Sequence, residues 1–246
     1  MRNYRAELHV HTVLSPCAEV EMIPPLIVTN AIEKGIEIIA ITDHNSSANI
    51  LSVQKAAIGT NLTIIPGMEL TTHEEVHLLC LFGTMKPLTH LQSLVDKQMQ
   101  KLKNRPDFFG EQFIVDETGN YISSDERLLL GTVNITLANA VAFVHELGGL
   151  AIPAHIDRKA NGLIANLGFI PDDLCLDALE ISKNKTVEKM TNEYPQIRNY
   201  PLLKGGDAHI LDNILGLNHF YINEPNYQEI GLAFQNKNNR KHQIID

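Results

Sequence analysis

The chain has 246 residues, 44% of them hydrophobic, and sets 20 Lys+Arg against 29 Asp+Glu for a net charge of -9. That length supports one large core of the size at which α/β barrels commonly close as one domain. The acidic balance argues against a dedicated binder of long nucleic acid, without excluding a local basic groove. No apolar run is long enough to cross a bilayer and no signal-type segment opens the chain, so a cytoplasmic protein with no membrane partner is expected. Cys17, Cys80 and Cys175 lack CxxC spacing and fit no disulfide framework.

The first strand ends in Glu7-Leu8-His9-Val10-His11. On an extended segment His9 and His11 project from one face while Leu8 and Val10 pack on the other. Ser15-Pro16 breaks the strand, and Cys17 follows as a soft donor. Pro24-Pro25 opens a helix over Leu26 to Lys34, which Gly35 ends. Residues 37–42 form an almost continuous apolar run rich in β-branched side chains, the pattern of a strand buried on both faces, and Asp43-His44 comes directly after it. A helix over Asn49 to Ile58 and a strand over Leu62 to Glu69 follow. The next strand, Val76 to Phe82, comes too soon for a helical crossover, so Glu69 and His77 flank a tight turn.

Leu88 to Lys103 reads as an amphipathic helix, and residues 105–131 as an excursion across the rim. Thr136 to Leu147 is a helix stopped by Gly148-Gly149, and Leu150 to His155 a strand ending on a histidine. Asp177 to Ser182 is a strand carrying Glu180, and Thr186 to Tyr194 a helix. Leu202 to Gly206 leads straight into Asp207-Ala208-His209. A last strand around His219 to Ile222 and a helix over Tyr227 to Gln235 complete a catalytic domain of residues 1–235, and the polar tail, 236–246, has a composition that favours disorder.

Strands alternating with helices predict a sheet closed into a barrel, with functional groups where strands end and loops begin. His9, His11, His44, Glu69, His77, His155, Asp207 and His209 all fall at such positions. So many imidazoles with a few carboxylates exceed the four ligands of one tetrahedral ion, which predicts two or three divalent metals with Glu69 as a bridge. Clustered divalent metals suit phosphate ester hydrolysis. No Gly-x-Ser-x-Gly elbow competes as a nucleophile. Gly205-Gly206 reads as a close backbone approach, because the Lys-Ser/Thr of a phosphate-binding loop is missing.

HVHTVLSPC, ITDHN, GMEL with a following HLL, PAHIDR and GGDAH occur in this order from residue 9 to residue 209, and together they resemble the motifs of the PHP family, named for polymerase and histidinol phosphatase. The resemblance implies a distorted seven-stranded β/α barrel, TIM-like, with up to three ions, usually zinc, manganese or iron. It further implies that His9, His11, Glu69 and Asp207 hold one ion, that Glu69, His77 and His155 hold a second, and that Cys17, His44 and His209 hold a third. A thiolate at Cys17 favours zinc. Arg158 resembles the family's phosphate-contacting arginine, in keeping with guanidinium geometry. Asp43 is expected to orient a ligand imidazole rather than bind metal.

The resulting expectation is a metal-dependent phosphoesterase that cleaves a small phosphomonoester or short nucleotide with metal-activated water, using Asp207, His209 and Arg158. The expected partner is a small phosphorylated substrate and not long nucleic acid. The alternatives are a PHP-type nuclease on single strands, and a non-catalytic metal-binding module. An amidohydrolase also begins with HxH, but its bridging lysine is absent where this chain reads HLLCLF. His73, His90, His145, His219 and His242 read as turn or structural histidines. Glu180 and Lys183 lie near a strand end, within reach of the site or substrate and outside the metal set.

Overall fold

In the computed structural model, which describes residues 1–245, the chain runs β1 (Arg2–Val10), α1 (Pro24–Glu33), β2 (Ile38–Ile41), α2 (Ile50–Ala56), β3 (Thr63–Thr71), β4 (His77–Leu81), α3 (Met85–Gln98), α4 (Pro106–Phe109), β5 (Phe113–Val115), β6 (Tyr121–Ser124), α5 (Leu137–Glu146) and β7 (Leu150–Pro153). It continues through α6 (Leu163–Leu167), β8 (Leu179–Ser182), α7 (Val187–Glu193), β9 (Leu202–Gly205), β10 (Asn218–Ile222), α8 (Tyr227–Phe234) and β11 (Lys241–Ile244). A curled seven-stranded sheet has the order β11-β10-β1-β2-β3-β4-β7. Its β1-β2 and β2-β3 pairs are parallel, while β3-β4 and β4-β7 are antiparallel, as the short connection after Glu69 requires.

The parallel pair β8-β9 stands between β7 and β1. Asp177 N donates to Ala151 O at 3.1 Å and Ile156 N to Glu180 O at 2.9 Å on one side. On the other, Ala208 N donates to His9 O and His11 N to Ala208 O, both at 3.0 Å. These bonds bring the ends of β1, β7, β8 and β9 to one rim, and the distorted α/β barrel expected from the sequence is the architecture observed.

Two apolar clusters hold the layers together. Ala6, Leu8, Ile38, Ala40, Leu79, Ile152 and Leu203 fill one, and Val10, Ile39, Ile41, Ile27, Val53 and Val141 belong to the other, with residues from the helices. β2 is thus buried on both faces, as its continuous apolar run predicts. Leu8 and Val10, which simple alternation puts on one face, join different clusters; the pairing with β2 shifts register between Glu7 and Val10.

Residues 105–131 are a structured excursion, with α4 and the β5-β6 hairpin. Buried side chains pin it to the rim: Asn49 Nδ2 donates to Phe113 O at 2.9 Å, and Asn45 Nδ2 to Leu129 O and Gly131 O at 2.8 Å each. The expected helix over Leu88 to Lys103 instead runs from Met85 to Gln98, and Met99 continues into an isolated bridge with Val133. The polar tail, 236–246, is also different from its expectation. Lys241–Ile244 pairs antiparallel with β10, with His242 and Ile244 partly buried and Lys241 and Gln243 exposed, an alternation too short and too polar to stand out in the sequence. Asp246 lies outside the described residues.

Candidate metal centre

Glu69 sits at the middle of the rim. It is fully buried near the end of β3, and five imidazoles converge on its carboxylate. His77 Nδ1 lies 2.7 Å from Oε1, His155 Nε2 3.1 Å and His9 Nε2 3.3 Å. His44 Nδ1 lies 2.9 Å from Oε2 and His11 Nε2 3.3 Å. Asp207 joins from the end of β9, with Oδ1 3.2 Å from Nε2 of both His9 and His11 and 3.3 Å from His209 Nδ1. His155 and Asp207 both adopt positive φ, 29° and 44°, conformations uncommon outside glycine that persist where surrounding structure imposes them.

The backbone and neighbouring carboxylates set these rings. His9 Nδ1 is 2.9 Å from Glu180 Oε2, and His11 Nδ1 is 2.9 Å from Ser15 Oγ. Ser15 Oγ in turn donates to Asp43 Oδ1 at 2.7 Å, and Asp43 also accepts from Thr12 N at 2.7 Å and Thr12 Oγ1 at 2.8 Å. Asp43 therefore orients His11 through Ser15, the indirect part expected of it. Gly205 and Gly206 allow close approach: a methyl on Gly205 would overlap Glu180 Oε1, and one on Gly206 would overlap Asn213 O. Beneath them Glu7 accepts from Gly206 N at 3.1 Å, Leu215 N at 3.2 Å and Gly216 N at 3.1 Å, which ties the segment after Asp207 to β1.

Burial by itself depresses the pKa of His9 and His11, but carboxylates outweigh it: Glu180, Glu69 and Asp207 raise His9 well above its ordinary value, and Asp207 and Glu69 raise His11 to about 9. His44 and His209, where burial and neighbouring histidines dominate, fall to about 4 and about 3. Burial opposes ionisation of Glu69, yet His77, His9 and His44 hold its carboxyl well below the usual range. Burial pushes Glu7 up to about 7.

Three sets of donor atoms lie within 4.8 Å of one another: His9, His11, Glu69 and Asp207; His44, Glu69 and His77; and His11, His44 and His209. Glu69 Oε2, Asp207 Oδ1, His44 Nδ1 and His155 Nδ1 are buried without a well-formed hydrogen bond among the described residues. Facing ring nitrogens of His9 and His11 stand 3.1 Å apart, so at most one of them carries a proton there. Buried lone pairs converging without donors are the arrangement a cation satisfies, and this donor set fits divalent metal.

The three sets differ from the expected grouping at two residues: His155, whose Nε2 lies 3.1 Å from Glu69 Oε1, and Cys17 belong to none of them, with His44 standing beside Glu69 and His77. Cys17 lies exposed beyond Pro16, on the wall of the cleft. Desolvation there, followed by the charges of Glu69 and Asp207, pushes its thiol up to about 12. His11 stands with His44 and His209 in its place. Glu180, expected near a strand end within reach of the site, is fully buried there against His9, whereas Glu7, also fully buried and two residues before His9 on the same strand, is a carboxylate that the sequence reading left out. Away from the rim, His145 is committed to Asp177 at 2.8 Å and the His242 ring stacks on Phe220 at 4.5 Å.

The cluster opens into a cleft of about 510 Å3 lined by Cys17, His44, His77, Leu130, Arg158, Asn161, Lys183, Gly206, Asp207, His209 and Asn213. Arg158 Nη2 lies 2.6 Å from Asp207 Oδ2 and its side chain is 44% exposed, so the guanidinium is both tethered and open to solvent.

This α/β barrel gathers at its rim a set of His, Glu and Asp donors of the kind that holds divalent metal. The PHP domain profile matches residues 7–147, more than half of the chain, and the chain belongs to the PHP family. Among curated proteins it is 24% identical to the uncharacterized protein YqxK of Bacillus subtilis, over 98% of this chain and 64% of that one. It is 26% identical to the 5'-3' exoribonuclease Rnm of Escherichia coli, over 74% of this chain and 63% of the relative. The chain thus spans just under two-thirds of the curated relatives it matches.

Among solved structures, the lesion-specific endonuclease PfuEndoQ of Pyrococcus furiosus superposes with a TM-score of 0.77 at 20% identity, over 98% of this chain and 57% of that one. An Endonuclease Q complex with a 27-mer duplex, which has an abasic lesion at the active site, superposes with a TM-score of 0.74 at 19% identity, over 97% and 58% of the two chains. The expectation that long nucleic acid is not a partner is corrected by these nucleases: net charge describes a whole surface, while recognition of a strand is decided locally at the cleft. Among the described residues no helix is long and apolar enough to cross a membrane.

Proposed function

We propose that this chain is a metal-dependent phosphoesterase whose substrate is a nucleic acid strand, a nuclease in which two or three divalent ions are held by His9, His11, His44, Glu69, His77, His155, Asp207 and His209. The observation that carries the reading is the convergence of five imidazoles on Glu69, beside a cleft that holds an exposed arginine. Divalent ions in such a set would lower the pKa of water and neutralise charge on phosphoryl oxygens, with zinc, manganese or iron as the candidates.

The protein's own residues supply the rest. Arg158 offers paired N–H donors to the non-bridging oxygens of the phosphate, and its bond to Asp207 holds it at the cleft wall. Glu180 keeps a proton on His9 Nδ1, which leaves Nε2 as the free donor. Asp43 does the same for His11 through Ser15. His209, partly exposed at the cleft and kept neutral by burial and by His11, is a ligand of the set it forms with His11 and His44. Names of the nuclease relatives favour diester over monoester substrates.

A second reading, hydrolysis of a small phosphomonoester or short nucleotide, is supported by the acidic charge of the whole chain and by a cleft of about 510 Å3. Turnover of 5'-labelled single-stranded oligonucleotides and of p-nitrophenyl phosphate, with added zinc or manganese, separates the two. The nuclease reading expects oligonucleotide cleavage that chelation and Asp207→Ala abolish. Monoester turnover with intact oligonucleotide supports the second reading, and hydrolysis indifferent to chelator and to Asp207→Ala contradicts both.

A further inference from the structure

A second depression of about 260 Å3 adjoins the main cleft, and Asp157, Ser182, Lys183 and Lys185 are on its wall. Arg158, Lys183, Gly206 and Asp207 line both, so the two are continuous. Its carboxylates are already engaged: Asp157 Oδ1 accepts from Ser182 N at 2.8 Å, Glu180 holds His9, and Asp207 is paired with Arg158. Its two lysines are not. Neither Lys183 nor Lys185 forms an ion pair among the described residues, and both are only half-buried. Ser182 Oγ, also on this wall, is buried with no hydrogen-bond partner. Lys183 is near enough to Arg158 and Asp207 for their charges to act on it, and desolvation lowers its pKa.

A half-buried lysine with no counter-ion, beside a buried hydroxyl without an acceptor, is an arrangement that a phosphate completes: its oxygens accept from the ammonium and from the hydroxyl together. Successive phosphates of one strand come as a covalently spaced pair, one for each of the two adjoining clefts. On the reading of the rim as a phosphoester hydrolase, we propose that the second depression seats the phosphate neighbouring the one being cleaved, and that Lys183, standing between the two clefts, selects phosphodiester chains over substrates with a single phosphate. Ser182 and Lys185 complete this subsite. Lys183 is then a specificity residue, and the metal cluster does not depend on it.

The test compares two diesters with the metal-loaded protein: an oligothymidylate, which has neighbouring phosphates, and bis(p-nitrophenyl) phosphate, which has none. Lys183→Ala is expected to lower kcat/KM for the oligothymidylate about tenfold more than for bis(p-nitrophenyl) phosphate, the size of one charge-assisted hydrogen bond, with Lys183→Arg restoring much of the difference. Equal losses on both substrates, or no loss on either, would overturn the proposal. Equilibrium binding of phosphorothioate-linked pTpT against pT tests it without turnover. Wild type should bind the dinucleotide about tenfold more tightly and Lys183→Ala should lose that margin. Equal affinity of wild type for the two contradicts the subsite. Absence of any hydrolysis with the binding margin intact would instead count against the enzymatic reading alone.

Discussion

Glu180 Oε2 lies 2.9 Å from His9 Nδ1, in a pair where both side chains are wholly buried. That contact decides which nitrogen of the ring faces Glu69 and Asp207, and Gly205 leaves the space in which the carboxylate sits. Partners of this kind typically change metal affinity 10- to 100-fold when removed. Glu180→Gln should therefore weaken metal binding by about that factor while the chain still folds. Gly205→Ala should reproduce the defect, because its methyl displaces Glu180. Competition titration with a chromogenic chelator reads both, and unchanged affinity in either variant removes Glu180 from the account.

Arg158 makes a different prediction. Its guanidinium contacts Asp207 from the solvent side of the cleft, so its removal should spare the metals and strike the reaction. Arg158→Ala is expected to lower kcat/KM about 100-fold, within the range for loss of one charge-stabilising donor, at unchanged metal content. Arg158→Lys should recover little of it, since an ammonium cannot present the paired donors. Loss of metal in Arg158→Ala would show that the arginine serves Asp207 rather than the substrate.

His242 offers a test of the fold away from the metals. Burial, and then the charge of His219, hold its ring at about 3, while in the unfolded chain it titrates near 6.5. Between these values the unfolded state binds the extra proton, so stability falls as pH drops from about 6.5 toward 3, and is unaffected by this group above that window. Denaturant midpoints at pH 4 and pH 7 should lie closer together in His242→Gln than in wild type. An equal gap would mean that His242 protonates freely, and that β11 does not hold the ring as described.

Much of this site is legible in the sequence because strand ends are. The β-branched run before Asp43-His44 and the short step from Glu69 to His77 give two strands and their relation, and the barrel rule then brings their ends together. What escapes is whatever depends on a neighbour far along the chain. Glu180 is legible as a carboxylate within reach of the site, but its contact with His9 depends on the close approach of Gly205 and is not. Cys17 is read as a ligand from its residue type and position, but the turn after Pro16 leaves it on the cleft wall while His11, nearer in space, joins His44 and His209. β11 is polar and short, so its pairing with β10 is a tertiary fact rather than a local one.

Glu7 adds a prediction for the segment that presents Asp207. Its carboxylate caps Gly206, Leu215 and Gly216 N–H groups from a wholly buried position. Glu7→Ala leaves those donors unsatisfied and should destabilise the chain by about 2 to 4 kcal/mol. Metal affinity should fall with it, because Asp207 follows Gly206 directly. A variant with wild-type thermal stability would contradict this anchoring.

The most direct test of the central claim is the number of metal ions each chain retains after purification and dialysis, measured by elemental analysis on wild type, Glu69→Ala and Asp207→Ala. Two or three equivalents of divalent metal in wild type, falling below one in Glu69→Ala, is the predicted result. One equivalent or none in wild type under saturating metal, or full occupancy in Glu69→Ala, would contradict a cluster built around that carboxylate.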